Sequence, residues 1–333
     1  MKDPKLRRKR KPFSFYSIDQ CSLFRVTSPA KLCTLLLRTS AEVDFFLKAS
    51  DNYKEFILEE SIDPFSGKKT KERAVQTPKY ELKRLHERLL KLLQRISPPP
   101  YAHASIKRKS YRSNAMTHEK SRVLATFDLE SFYTSTKSYL VHNFFVSELQ
   151  CDGDVAAMLT RLTTYRGSIP TGSPLSPLLA LYAAKPMFDK LNRLAIDNNL
   201  KFTCYVDDLT FSGDSLPKSL KRDVTSIARE FGYKLSEKKT RIYKPHHKKL
   251  VTGTVIVDQQ VSVPYSRFIT ARRIQKALEG KADNHGFSEK ELLAKLSGLL
   301  NEASTLDPKF SAMAVLANQR YQEVAQAQKE TPD

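Results

Sequence analysis

The sequence predicts an α+β fold that ends in a separate helical subdomain, and three observations carry that expectation. Apolar, β-prone runs and amphipathic helical stretches interleave through residues 121–257. From Ser266 onward only helical spacing is found. The 333 residues exceed the usual size of one core, so two or three subdomains are expected, and 40% apolar content is enough to bury them.

In chain order, helical spacing covers 28–50, with Ser28 as cap and Pro29 in the first turn. "YKEFILEE" and "KERAVQTP" are expected strands around the turn "DPFSGKK". A helix over 79–96 is stopped by "SPPPY". "RVLATFDLESFY" is a buried strand running into polar ground, and "PTGSPLSPLLALYAAKPMFDKLNRLAI" is a Gly/Pro-rich loop feeding an apolar helix. A hairpin at 202–213, a helix near 217–231, and strands in "YKLSEKKTRIY" and "KLVTGTVIV" follow. The tail predicts helices over 266–280, over 288–303 with a Ser288/Glu291 capping box, and over 308–327 with Asp307 capping and Pro308 in the first turn.

Lys and Arg number 56 against 36 Asp and Glu, a formal charge of +20, which predicts a polyanionic partner such as nucleic acid. A membrane surface is the rival. No run of about 18 apolar residues exists and the N-terminus lacks a signal-peptide core, so a cytoplasmic protein is expected rather than a secreted or membrane-spanning one. Residues 2–11 carry seven basic side chains, a solvated tail or an electrostatic arm. Cys21, Cys33, Cys151 and Cys204 are scattered without a CxxC pair, which predicts reduced, buried thiols rather than zinc or disulfides.

The chemistry is expected around "FTCYVDDLTFSG", residues 202–213, where Asp207 and Asp208 stand side by side between apolar flanks. A hairpin tip is the plain explanation, since Asp suits turns. Tight hairpins, however, prefer Asn-Gly or Asp-Gly, and no Gly occurs before Gly213. Adjacent carboxylates repel unless a cation joins them, and Mg²⁺ is commonly held by carboxylates together with substrate phosphates. Asp128, closing the apolar strand of "ATFDLESFYTS", is the expected third carboxylate; Glu130, two residues on, is set aside. Three such groups would serve two divalent ions roughly 3.5–4 Å apart, the arrangement of polymerases and nucleases.

"CYVDDLTFSG" resembles the YxDD box of reverse transcriptases, "FDLESFYTS" their box with the first catalytic Asp, and "IPTGSPLSPLLALY" their xPQGxPxSPxLxNL box. "NAMTH", Asn114 to His118, and "VTG", Val251 to Gly253, are similar to the NAxxH and VTG signatures of retron reverse transcriptases, bacterial enzymes that copy their own noncoding RNA into multicopy single-stranded DNA (msDNA). The resemblance spans about residues 53–265. It implies a right-hand polymerase, with an antiparallel palm sheet backed by helices and a helical C-terminal thumb. The implied parts are a basic N-terminal arm and helix at 1–50, fingers at 51–120, a palm at 121–257 with a fingers insertion near 150–180, and a thumb at 258–333.

Carried onto this sequence, the resemblance makes Asp128, Asp207 and Asp208 the catalytic, metal-binding triad for two Mg²⁺ ions. Tyr133 becomes the aromatic steric gate that favours deoxynucleotides, with core packing as its alternative. Lys71 and Arg73 become clamps on the incoming triphosphate, or else members of a solvated strand face. Lys239 becomes the lysine that protonates pyrophosphate, with surface salt-bridging as its rival. Thr171 stands where the family commonly has Gln and cannot make the same reach to the nucleotide, whereas Gly172 lets the backbone approach the substrate.

"SIKRKSYRSNAMTH" and "YKPHHKK" join cations to Tyr or His, residues that neutralise phosphates and stack on bases. His246 and His247 belong to such a patch rather than to a metal site. Helix "SRFITARRIQKAL" is expected to turn Phe268, Ala271, Ile274 or Gln275, and Leu278 inward and Arg272, Arg273 and Lys276 outward. The resemblance assigns recognition of a stem of the cognate RNA to this helix and the VTG segment, making Asn114, His118, Val251, Thr252, Gly253, Arg272 and Arg273 the RNA-binding set.

The implied activity is RNA-directed DNA polymerisation with dNTPs, primed from an internal guanosine 2′-hydroxyl and giving msDNA joined to the RNA by a branch. The implied partners are the cognate noncoding RNA, its msDNA product and an accessory effector protein of an anti-phage defence unit. No RNase H domain is expected after the thumb, so template removal falls to a host enzyme. The alternatives are a non-retron bacterial reverse transcriptase of intron or abortive-infection type, or a catalytically inactive relative that only binds RNA.

Overall fold

The structure, a computed structural model, describes residues 13–330, so the basic block at 2–11 lies outside the described residues. Its strands in chain order are β1 (Tyr53–Leu58), β2 (Ser61–Ile62), β3 (Lys69–Thr70), β4 (Arg73–Pro78), β5 (Val123–Asp128) and β6 (Lys201–Tyr205). They continue with β7 (Asp208–Gly213), β8 (Arg241–Tyr243), β9 (Lys249–Val251), β10 (Thr254–Val257) and β11 (Gln260–Ser262). The first helices are α1 (Pro29–Leu36), α2 (Ser40–Lys48), α3 (Tyr80–Leu93), α4 (Tyr111–His118), α5 (Phe132–Ser135), α6 (Ser138–Asn143) and α7 (Gly153–Thr163). Then come α8 (Ser176–Ala183), α9 (Lys185–Asp197), α10 (Leu220–Glu230), α11 (Tyr265–Leu278), α12 (Glu289–Leu306) and α13 (Ser311–Glu330). The mixed content agrees with the α+β expectation.

Local signals explain most boundaries. Ser28 caps α1 with Pro29 in its first turn, and the Ser288/Glu291 capping box opens α12, both as expected. The helix expected over 28–50 is instead two helices. Leu37 ends α1 in the left-handed region (φ 57°), and a Thr39/Glu42 capping box starts α2. "KLVTGTVIV" is likewise not one strand but the hairpin β9–β10, turned by Thr252 (φ 44°) and Gly253 (φ 80°). Two successive positive φ angles are the signature of a type I′ hairpin turn. Only Arg241–Tyr243 of "YKLSEKKTRIY" forms a strand.

The described chain falls into two compact units. One joins the stretch ending at Glu55 to 76–102 and 131–186; the other joins 56–75 to 103–130 and the stretch from Met187 onward. The first is mainly helical. Leu85, Leu89 and Leu93 of α3 are buried, and Phe144 stacks on Tyr182 with ring centroids 5.2 Å apart. Inside it the buried imidazole of His86 joins Ser173 Oγ (2.6 Å) to the carbonyl of Leu162 (2.8 Å), and burial draws its pKa down to about 4.

The second unit holds the sheet on which the site stands, in the order β6-β7-β5-β8 with every pairing antiparallel. Phe127, Phe202 and Phe211 pack together on it, with Phe211 touching both of the others. Helix α4 packs on β6 and β7 and also against the three-stranded sheet β11-β10-β9. Helices α11 to α13 form their own core, and Phe65, from the β2–β3 turn, is buried in it. Arg273 donates to the carbonyl of Phe65 (2.9 Å), and Lys295 pairs with Asp63 (3.2 Å). The buried face of α11 consists of Thr270, Ala271, Ile274 and Ala277, Phe268 lies at its margin, 39% exposed with its ring against Phe310, and Arg272 and Arg273 face outward as expected.

Candidate active site

Strands β5 and β7 run antiparallel in a register that sets Asp128 directly opposite Asp208. Opposed residues on such strands have Cβ atoms about 4.5–5.5 Å apart, so the two carboxylates are neighbours although 79 positions in the chain lie between them. Hairpin β6–β7 pairs Tyr205 with Asp208, leaving Val206 and Asp207 as its two-residue tip. The backbone N–H of Leu129 donates to the carbonyl of Asp207 (3.0 Å), tying the tip to the end of β5. Asp207 thus lies at a hairpin tip, and the same hairpin sets Asp208 beside Asp128. Val206 occupies the left-handed region (φ 58°) at the position where type II′ hairpins take Gly, a strained place for a β-branched side chain.

The segment after α10 closes this end of the sheet. Glu130 N–H donates to Lys234 O (2.8 Å) and Ser236 N–H to Asp128 O (2.8 Å), after which the chain turns on Ser236. That turn is why residues 234–240 do not form the expected strand. It also delivers Lys239, whose Nζ donates to Asp128 Oδ2 at 2.7 Å.

Electrostatics follow from the crowding. Burial, then the charges of Asp207 and Asp128, push the Asp208 carboxyl up to about 7, against a smaller opposing pull from Lys239. Burial also raises Asp207. The hydrogen bond to Asp128 raises Lys239 in turn. Two acids that resist ionisation beside a cation form a site that favours added positive charge. As arranged, no three acidic, His or Cys side chains among the described residues gather tightly enough to hold one ion together. Mg²⁺ nonetheless needs only one or two carboxylates besides water and substrate phosphates, and Asp128 with Asp208 supply that donor chemistry.

The other expected residues are spread over both units. Lys71 and Arg73 lie exposed just before and at the start of β4. Tyr133 sits half-buried on α5, beside Phe132. Thr171 is bound to Gln76 of β4: its hydroxyl accepts from Gln76 N–H (3.3 Å) and donates to Gln76 Oε1 (3.1 Å), and Gly172 N–H donates to Gln76 O (2.9 Å). Gln76 was not among the sequence candidates; a polar side chain in the strand "RAVQTP" was its only signal.

Three members of the expected RNA-binding set do not present surface. Asn114, His118 and Val251 are fully buried, because α4 is packed between two sheets. His118 bridges Ser212 Oγ and Thr203 Oγ1, both at 2.7 Å, and burial draws its pKa down to about 3. Asn114 Nδ2 donates to Thr252 Oγ1 (3.3 Å), so the two signature motifs meet inside the protein. Gly253, Arg272 and Arg273 remain exposed, and Thr252 is half-buried. All four cysteines are buried free thiols, as expected, and no helix among the described residues is long and apolar enough to cross a membrane.

Comparison with known proteins identifies the family. The retron Ec86 reverse transcriptase of Escherichia coli is 31% identical over 205 residues, 61% of this chain and 64% of that protein. The retron Se72 reverse transcriptase of Salmonella heidelberg is 28% identical over 225 residues, 65% of this chain and 58% of that protein. The chain thus spans less than two thirds of the length of these relatives. Among solved structures, a foamy viral protease-reverse transcriptase in complex with double-stranded DNA aligns with TM-score 0.41 and 17% identity, covering 78% of this chain and 38% of that one. The family model described as reverse transcriptase (RNA-dependent DNA polymerase) matches residues 66–265, more than half of the sequence and the whole of the carboxylate site. The chain belongs to the reverse transcriptase (RNA-dependent DNA polymerase) family, with retron reverse transcriptases as its curated relatives.

Proposed function

We propose that the chain is a retron RNA-directed DNA polymerase that copies a structured noncoding RNA into msDNA, starting from a 2′-hydroxyl of that RNA. The observation that supports this reading most is the register of β5 and β7, which opposes Asp128 to Asp208 and leaves Asp207 beside them. Mg²⁺, when bound, supplies the positive charge that activates the attacking hydroxyl and neutralises the pyrophosphate. Asp128, Asp207 and Asp208 would hold two such ions together with water and substrate phosphates. Lys239 keeps its proton through the bond to Asp128 and gives it to the leaving pyrophosphate. Lys71, Arg73, Thr171 and Gly172 bind the triphosphate, and Tyr133 crowds a ribose 2′-hydroxyl.

In this reading the four-stranded sheet is the palm, the β1–β4 region belongs to the fingers, and α11 to α13 are the thumb. Exposed Gly253 and Arg272 meet the RNA, while buried Asn114 holds the VTG turn through Thr252 and buried His118 ties the same helix to β6 and β7. The net charge of +20 suits such a partner. An accessory effector protein of an anti-phage defence unit completes the assembly.

Nucleic acid co-purifying with the protein, sequenced before and after incubation with Mg²⁺ and dNTPs, tests the reading. Branched DNA copied from one noncoding RNA is the expected product. Equal dNTP incorporation by the wild type and Asp207→Ala would overturn the site.

A further inference from the structure

The loop before α8, which carries Thr171 and Gly172, is braced by two elements of its own unit, α3 and β4. Ser176 Oγ donates to Pro170 O (2.5 Å) and Leu175 N–H to Ser173 Oγ (3.1 Å), so the loop first folds on itself. From α3, His86 then holds it. The carbonyl of Leu162 can only accept, so in the neutral ring Nε2 carries the proton and the Ser173 hydroxyl donates to Nδ1 (2.6 Å).

From β4 the brace is Gln76, and its backbone alone fastens the loop: Gln76 N–H donates to Thr171 Oγ1 (3.3 Å), and Gly172 N–H donates to Gln76 O (2.9 Å). Almost any residue at 76 would supply those two bonds. The side chain adds something else. Its oxygen accepts from the backbone N–H of Thr171 (3.4 Å) and from the Thr171 hydroxyl (3.1 Å). A backbone N–H must meet the carboxamide oxygen rather than its nitrogen, so these contacts orient the amide and leave its two N–H donors over. Nε2 has no hydrogen-bond partner among the described residues and is not among the sealed-off unpartnered atoms, so it reaches solvent. Holding a glutamine in one rotamer costs conformational entropy, and a ligand that meets the ordered amide does not bear that cost again.

We propose that Gln76 is a substrate-binding residue: its carboxamide nitrogen, aimed by Thr171, donates to an acceptor oxygen of the incoming deoxynucleoside triphosphate beside Gly172. This rests on the proposed function in one respect, that Thr171 and Gly172 face the nucleotide. A structural clip needs the carboxamide oxygen, whereas a ligand contact needs the nitrogen. That contrast sets the test.

The full chain, with the nucleic acid it retains, is titrated in Mg²⁺ with an equimolar mixture of the four α,β-imido dNTPs, which bind without being incorporated, and Kd is read by calorimetry. Gln76→Glu keeps an oxygen for Thr171 but offers no N–H at neutral pH; Gln76→Leu removes both without adding charge. Combining Gln76→Leu with Thr171→Gln returns a carboxamide on the loop itself. Each single variant is expected to bind roughly tenfold more weakly, and the combined variant to recover to within about threefold of the wild type. Hydrogen exchange over residues 171–176 is expected to keep its wild-type rate in Gln76→Glu, because the clip survives there. Wild-type affinity in both single variants, or a combined variant no tighter than Gln76→Leu, would overturn the assignment. So would a wild type that binds no nucleotide, or affinity lost in Gln76→Glu only together with faster exchange of the loop. A wild type that binds the analogues yet makes no DNA from dNTPs would sink the polymerase reading while the Gln76 comparison still decides the contact, so the two failures are distinguishable.

Discussion

Lys239 and Asp128, 111 positions apart, are joined by a 2.7 Å hydrogen bond between ammonium and carboxylate. The bond raises the lysine's affinity for its proton and leaves its side chain 64% exposed, so it is held in place without being sealed off. Such a group can deliver a proton where a leaving group appears. Lys239→Arg keeps the charge and the pairing but not a releasable proton, because a guanidinium does not titrate in proteins. Single-nucleotide incorporation is expected to slow by about 10²-fold or more, with the melting temperature nearly unchanged. Wild-type incorporation by the arginine variant would remove Lys239 from the chemistry.

The carboxyl of Asp208 makes stability depend on pH in an unusual direction. Its folded pKa, about 7, lies above the ordinary 3.8, so between these values the native state holds a proton that the unfolded chain has lost. This group's contribution to stability is therefore present at acid pH, falls as pH rises from about 4 to 7, and is level beyond. Asp208→Asn abolishes the effect. The variant is expected to lose DNA synthesis yet to melt higher than the wild type, by a margin that widens from pH 4 to 7. A margin that is flat or narrows over that interval, measured by thermal melts, would show that the carboxylates are not crowded in solution.

How much of this was legible in the sequence depends on the distance over which each feature is decided. Asp128 at the close of an apolar strand, the hairpin around Asp207 and Asp208, and the caps at Ser28 and Ser288 are local patterns, and each appears where expected. The break at Leu37 went unread because no Gly or Pro marks it, although the Thr39/Glu42 box that restarts the helix is visible in "TSAE". Register was inaccessible. Nothing near residue 239 announces that its ammonium meets Asp128, and a helical His118 carries no sign that both ring nitrogens are spent on Thr203 and Ser212. Those facts are set by which strands pair, and pairing is a property of the whole chain.

Thr171 offers a test of the loop that departs from the family pattern. Its hydroxyl both accepts from and donates to Gln76, which fastens the loop before α8 to β4. Thr171→Val keeps the shape and removes both bonds, leaving a half-buried amide without its partner. A loss of about 1–2 kcal/mol is expected, with Thr171→Ser restoring most of it. Hydrogen exchange at the Gln76 amide is the sharper measurement. It should accelerate in the valine variant and stay slow in the serine variant, whereas equal rates in both would mean that the hydroxyl does not hold the strand.

The buried His118 sets the acid limit of the fold on the sheet side. Each of its two ring nitrogens lies 2.7 Å from a hydroxyl, contacts that the neutral imidazole makes by donating through one nitrogen and accepting through the other, and burial disfavours the charged form. Its folded pKa, about 3, lies below the ordinary 6.5. As pH falls below 6.5 the unfolded chain gains a proton that the native state refuses, so stability drops by about 1.4 kcal/mol per pH unit until about pH 3. His86 and His103, both drawn down to about 4 by burial, act in the same sense. His118→Gln retains one hydrogen bond at most and is expected to cost about 2 kcal/mol at pH 7. It also removes one proton from the acid-linked steps, so the gap between variant and wild type should close by about 2 kcal/mol between pH 6.5 and 5. Urea titrations at pH 7 and 5 read this directly. A gap of constant size would mean that His118 titrates alike in the folded and unfolded chain, and the buried bridge to Ser212 and Thr203 would have to be abandoned.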